Sequence, residues 1–203
     1  MDPPRACPLL LVLALVLSFT VTAQAWDQLE QCKDKICPKF TRTAQHKGYE
    51  ERLYEPCTWI CTKVRTTSTS DLLSALGELK HFAKQKTKQL GVAIAENTWP
   101  VLVYEEAGQE GPKYGMCWMV NPDVTLPDSD QGPVTVTTFP QTAIFVRSFG
   151  GTPSLEGGRD NANKLKQDLE EAGESFKPGH FYGAGYESQF SLFHHNEIWI
   201  KKA

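Results

Sequence analysis

Two periods of apolar residues alternate along this chain. Residues 50–64 read as extended chain, with apolar and polar positions alternating from Cys57 to Val64 and a kink or bulge at Glu55-Pro56. After a polar loop the period becomes helical. Leu72, Leu76, Leu79 and Ala83 share one narrow stripe at about 100° per residue, with Leu73 and Phe82 on its flanks. Ser70 is the predicted N-cap and Gly91 the predicted C-cap. Two strands follow, over residues 92–105 and 113–120, around a Gly-rich turn at residues 108–111.

The same order then returns. A strand is predicted over residues 137–149 and a helix over 160–172, with Ala162, Leu165, Leu169 and Ala172 on one face. A closing hairpin covers residues 181–200, where Gly183 and Gly185 flank Ala184 and leave one strand face bare. Residues 121–133, dense in Pro, Asp and Gly, link the halves. Neither β-α-β-β unit covers both faces of its own sheet. The two therefore predict one α+β domain, an antiparallel sheet system with two helices outside.

The N-terminus changes the compartment. Arg5, an apolar run from Leu9 to Phe19 and the small residues Ala23 and Ala25 have the form of a signal peptide over residues 1–25; a retained signal-anchor is the alternative. The run is shorter than the roughly 20 residues that span a bilayer. A secreted, extracellular chain without a membrane span is expected. Residues 26–47 read as an irregular arm with a helical turn near Asp27, and residues 48–203 as the folded domain. The net charge of −3, with no basic cluster apparent in the composition, gives no footprint for nucleic acid or anionic lipid.

Five cysteines remain after Cys7: Cys32, Cys37, Cys57, Cys61 and Cys117. On one extended strand Cys57 and Cys61 lie about 13 Å apart, beyond the roughly 7 Å that a disulfide bridges. The simplest expectation is that Cys32 and Cys37 pin the arm onto that strand through Cys57 and Cys61. Cys117 is then left free in a monomer, or links a dimer; a zinc site at these loose spacings is the rival reading.

No nucleophile elbow, metalloprotease pair or phosphate-binding loop is present, and an enzyme is not expected. His194 and His195 are adjacent and point to opposite faces if extended, so they cannot share a metal; His81 projects away from the helical stripe. Arg147 is expected to pair with Glu197 across strands.

The run Tyr182-Gly183-Ala184-Gly185-Tyr186, followed by Asn196-Glu197-Ile198-Trp199, resembles the C-terminal signature of the SOUL heme-binding protein family. Three upstream runs match the same family in order: Tyr49-Glu50-Glu51-Arg52-Leu53-Tyr54 with Trp59, then Thr98-Trp99-Pro100-Val101, then the run from Phe145 to Gly151. The resemblance implies a distorted antiparallel β-barrel flanked by two helices, and reversible, non-enzymatic binding of heme or another porphyrin. In one branch of the family a histidine proposed as axial ligand occupies the position of Leu53, which cannot ligate iron. In the other the porphyrin lies in an apolar groove that includes the first helix. Carried over, Leu72, Leu73 and Leu76 face the ring and Lys80 meets a carboxylate at the rim; a basic groove residue of that branch is replaced by Leu73. The family's proline at position 189 is Gln189 here. With these departures, the alternative is an extracellular interaction protein, or a carrier of another small hydrophobic ligand, that has lost heme binding.

Overall fold

The computed structural model describes residues 27–188, 191 and 194–203. The predicted signal peptide and the Gln189 position lie outside these residues. In chain order the elements are β1 (Phe40–Gln45), β2 (Glu50–Tyr54), β3 (Cys57–Val64), α1 (Thr69–Leu90), β4 (Val101–Glu106) and β5 (Lys113–Met119). They continue with β6 (Val134–Phe139), β7 (Thr142–Gly150), α2 (Leu155–Glu171), β8 (His180–Gly185) and β9 (His195–Lys201). One antiparallel sheet of nine strands runs β1-β2-β7-β9-β8-β4-β5-β3-β6.

That order carries the internal repeat. Exchanging β2 with β6, β3 with β7, β4 with β8 and β5 with β9 reverses the sequence of the eight strands after β1, so the halves meet where β4 pairs with β8. Each repeat thus has a leading strand that pairs with the other repeat: β2 with β7, and β6 with β3. A single strand over residues 137–149 is therefore corrected to two. Pro140, which has no N–H to offer a ladder, stands where β6 gives way to β7.

The sheet is curled. β6 and β8 are four steps apart, about 19 Å in a flat sheet. Yet the rings of Phe139 and Tyr182 lie only 5.9 Å apart, and the Lys201 ammonium sits 4.3 Å from the Phe139 ring centroid. These contacts cross the concave face of an open, distorted barrel. Trp59, Tyr54, Tyr186, Trp199, Leu102 and Met119 fill that face.

Both helices cover the convex face. Ala75, Leu79 and Ala83 of α1 are buried with Ile60, Val64, Met116 and Val136, while Ala162, Leu165 and Leu169 of α2 are buried with Phe145, Ile198 and Ile200. Complete burial of a leucine contributes about 1.5–3 kcal/mol, so these short stripes hold the helices down. The observed N-cap of α1 is Ser68, which accepts from the Asp71 N–H at 3.2 Å, and not Ser70. Gly91 closes α1 as expected, in the left-handed conformation at φ 72°.

The arm is not irregular throughout. It holds a 3₁₀ turn at Glu30–Cys32 and contributes β1 as an edge strand on β2. Cysteine pairing differs from expectation. Cys32 joins Cys37 within the arm, and Cys61 joins Cys117 across β3 and β5, where the two face each other in register with Cα atoms 4.1 Å apart. The staple from the arm to β3 is thereby corrected, and Cys117 has no thiol left to link a dimer. Cys57 is the free cysteine among the described residues. The expected partnership of Arg147 with Glu197 also fails, because the two project to opposite faces. Arg147 reaches α2 instead, donating to Asp168 at 3.0 Å and Asn161 at 3.2 Å.

Candidate functional site

Helix α1 runs on past its buried stripe, and its second half forms one wall of a cleft. Gly91 turns the chain, and the N–H of Ile94 donates to the Thr87 hydroxyl at 3.2 Å, folding residues 93–97 back beside the helix. Asn121 fixes the same segment from the other side, its N–H donating to the Ile94 carbonyl at 2.7 Å and its Oδ1 accepting from the Glu96 N–H at 2.9 Å. The arm completes the support: Ile36 donates to the Asn97 carbonyl and accepts from the Trp99 N–H.

The resulting cleft has a volume of about 420 Å³ and is lined by Lys80, Ala83, Lys84, Thr87, the 93–97 segment and Trp118. Ala83, Ile94 and Ala95 are buried, and they give it apolar walls. The Trp118 ring is held in place by its Nε1, which donates to the Thr98 carbonyl at 3.0 Å. Lys80 and Lys84 stand one turn apart at the rim, exposed and in no ion pair among the described residues; Glu96 stands across from them. A cleft of this size falls in the usual range for small-molecule sites, and its apolar walls with a few charged groups suit an amphiphilic ligand.

Of the four residues expected from sequence, Lys80 lines the cleft. Leu72 and Leu76 are half-buried against the sheet under α1, and Leu73 is 47% exposed on the same helical stripe as Lys80. Sequence reasoning missed Ile94 and Trp118 because residues 92–105 read as one strand. In fact β4 begins only at Val101, after the cis peptide before Pro100. Leu53 lies on β2, in the half covered by α2, and no histidine is among the residues lining the cleft.

The concave face holds a different cluster. Arg52 and Glu197, both fully buried, are joined by two hydrogen bonds of 2.9 and 3.1 Å. Glu197 also accepts from Tyr186 Oη at 2.8 Å and Trp199 Nε1 at 2.7 Å, and His195 Nε2 lies 3.0 Å from it. Arg52 bonds Glu50 as well, which in turn bonds Arg42. Burial alone would raise the Glu197 pKa, but the Arg52 charge and the hydrogen bonds from His195 and Arg52 overcome it and hold the carboxyl at about 2. Burial pushes the Tyr186 hydroxyl well above its ordinary range. With its members satisfied by one another, this cluster is built as a core network. The cleft beside α1 has room, as does a smaller hollow of about 300 Å³ between Glu105, Pro112, Lys166 and Phe181.

The sequence profile of the SOUL heme-binding protein family matches residues 35–201. The chain belongs to that family. It is 28% identical over 164 residues to mouse Heme-binding protein 2, a match spanning 77% of this chain and 78% of that protein. Among solved structures, the C-terminal domain of EcmrR superposes with a TM-score of 0.57 at 14% identity, over 76% of this chain and 96% of that one. A hydrolase from Listeria innocua superposes at 0.53 and 12% identity, over 79% and 94%. At these identities the likeness is one of fold. Membership in the SOUL family brings heme or a related tetrapyrrole as the ligand class at family level. Ile94 is fully buried behind the lining, so the surface open to a ligand is that of Trp118, Ala93 and the stems of Lys80 and Lys84, a set whose chemistry suits a flat apolar body with carboxylates.

Proposed function

We propose that this chain is a secreted, non-enzymatic carrier that binds heme or a related tetrapyrrole reversibly in the cleft between α1 and residues 93–97. The observation that carries the reading is the pairing, in one cleft of about 420 Å³, of an apolar lining with two rim lysines free of ion pairs. Apolar surface removed from water contributes roughly 25 cal/mol per Å², and this supplies most of the affinity. Lys80 and Lys84 orient the ligand by its propionates, and no bond from a histidine to iron is required. The leader-like residues 1–25 and two disulfides support an oxidising, extracellular compartment. No helix among the described residues is long and apolar enough to cross a membrane.

Titration of the purified protein with hemin tests this. A saturable Soret change is expected, weakened about tenfold by combining Lys80→Glu with Lys84→Glu, since rim charges contribute up to about 1 kcal/mol each and reversal adds repulsion. A flat titration, or one indifferent to both reversals, contradicts the proposal.

A further inference from the structure

The exposed large apolar side chains among the described residues are Leu73, Leu90 and Val92, and all three belong to α1 or the residues just after it. The same stretch concentrates positive charge, which the net charge conceals and which corrects the expectation that the chain offers no footprint for anionic lipid. Between Glu78 and Glu96 the chain carries Lys80, Lys84, Lys86 and Lys88 and no carboxylate, although the protein as a whole bears a net charge of −3.

Helical geometry puts these features together. At about 100° per residue, Leu73, Gly77, Lys80, Lys84 and Lys88 fall within a stripe about 80° wide that runs some 22 Å along α1. Every one of the five is exposed. Lys80, Lys84 and Lys88 are in no ion pair among the described residues, Glu78 is engaged by the Thr62 hydroxyl, and Glu96 is the acidic group nearest in sequence beyond the turn. Leu90 and Val92 flank the left-handed turn at Gly91; Leu90 projects about 120° around the helix from the lysine row, so the apolar tip stands beyond the end of the row and to one side of it.

The end of a lysine row beside an exposed apolar tip matches a lipid interface. The aliphatic groups enter the boundary of headgroup and acyl chain, and the lysine stems lie along it with their ammonium groups among lipid phosphates. Nucleic acid matches less well, since the stripe offers neither an aromatic ring to stack on a base nor an arginine fork. We propose that α1 docks on an anionic bilayer surface by its C-terminal end, with Leu90 and Val92 entering the headgroup boundary and Lys84 and Lys88 holding anionic lipid. The mouth of the cleft, at Lys80, Lys84 and Ala93, is brought to the membrane by the same contact. Docking stands on the exposed face alone, whatever the cleft binds.

Co-sedimentation of the purified protein with vesicles tests the proposal. Vesicles of phosphatidylcholine alone are compared with vesicles containing about one-quarter phosphatidylserine. The protein should bind the anionic vesicles at least about tenfold more strongly, and lose most of that binding as salt rises from about 0.1 to about 0.5 M. The combination Lys88→Glu, Leu90→Ser and Val92→Ser, at surface positions outside the cleft, should weaken binding about tenfold or more while its hemin titration stays that of the parent. Equal binding to both vesicle types, or undiminished binding by the triple variant, overturns the proposal.

Discussion

Arg52 and Glu197, 145 residues apart in sequence, meet in the middle of the concave face, with Nη2 and Oε1 2.9 Å apart and neither side chain in contact with solvent. They tie β2, the exchanged strand, to β9, the last strand of the opposite repeat. The contact locks the order in which the two halves interleave.

Removing one charge from this pair leaves the other buried and alone. Arg52→Met is expected to cost about 3–5 kcal/mol in denaturant unfolding, and the double variant with Glu197→Gln to cost clearly less than the sum of the single changes. Strict additivity would mean that the two do not act as a unit.

Acid should loosen the same centre. The Glu197 carboxyl titrates at an ordinary carboxylate value in the unfolded chain and at about 2 in the fold, where Arg52 favours its charged form. A lowered folded pKa gives stability that is complete above the unfolded value and is lost as pH falls towards 2. This amounts to roughly 3 kcal/mol for one group. Unfolding midpoints measured from pH 6 downward should fall steeply below about pH 4.5, and Glu197→Gln should flatten that limb.

The two disulfides should differ in worth. Cys61–Cys117 closes a loop with a sequence separation of 56, and Cys32–Cys37 one of 5. Loop entropy predicts a cost of about 4 kcal/mol for replacing the first pair by serine and about 2 kcal/mol for the second. Thermal or denaturant unfolding of the two serine variants provides the comparison. Cys57, half-buried, should react with thiol reagents more slowly in the folded protein than after unfolding, because burial pushes its thiol up to about 12.

The cleft should depend on its aromatic wall. Trp118→Leu keeps an apolar side chain under α1 but removes the flat surface and the hydrogen bond to the Thr98 carbonyl, and should weaken hemin binding about fivefold to tenfold while costing about 1–3 kcal/mol in stability. Parallel hemin titrations and unfolding curves separate the two effects.

Much of this architecture was legible in the sequence. The helical stripes through Ala83 and Leu169, the stop at Gly91 and the repeated order of elements follow from local periodicity, which reports which face of an element is buried; Ala172, expected on the second stripe, is instead the exposed C-cap, and α2 begins at Leu155, five residues before the expected start. Non-local pairing left weaker marks. β1 is an edge strand with only Phe40 fully buried, so its sequence reads as polar loop. The exchange of β2 and β6 rests on short breaks at Glu55-Pro56 and Pro140-Gln141, whose consequence depends on partners far along the chain. Cys61 meets Cys117 only because β3 and β5 pair in that register, which no spacing of cysteines reveals. At the site, the helix and Lys80 were visible, whereas the wall of residues 93–97 is held by Thr87, Asn121 and the arm.

The central claim is that the cleft, and not the filled concave face, receives a tetrapyrrole. Amide NMR spectra recorded during addition of ferric hemin test it most directly, since the paramagnetic iron broadens nearby signals. The account predicts losses concentrated at Ala83, Thr87, Ile94 and Trp118. Broadening centred on Tyr182, Glu197 and Trp199 instead, or no localised broadening at saturation, would contradict it.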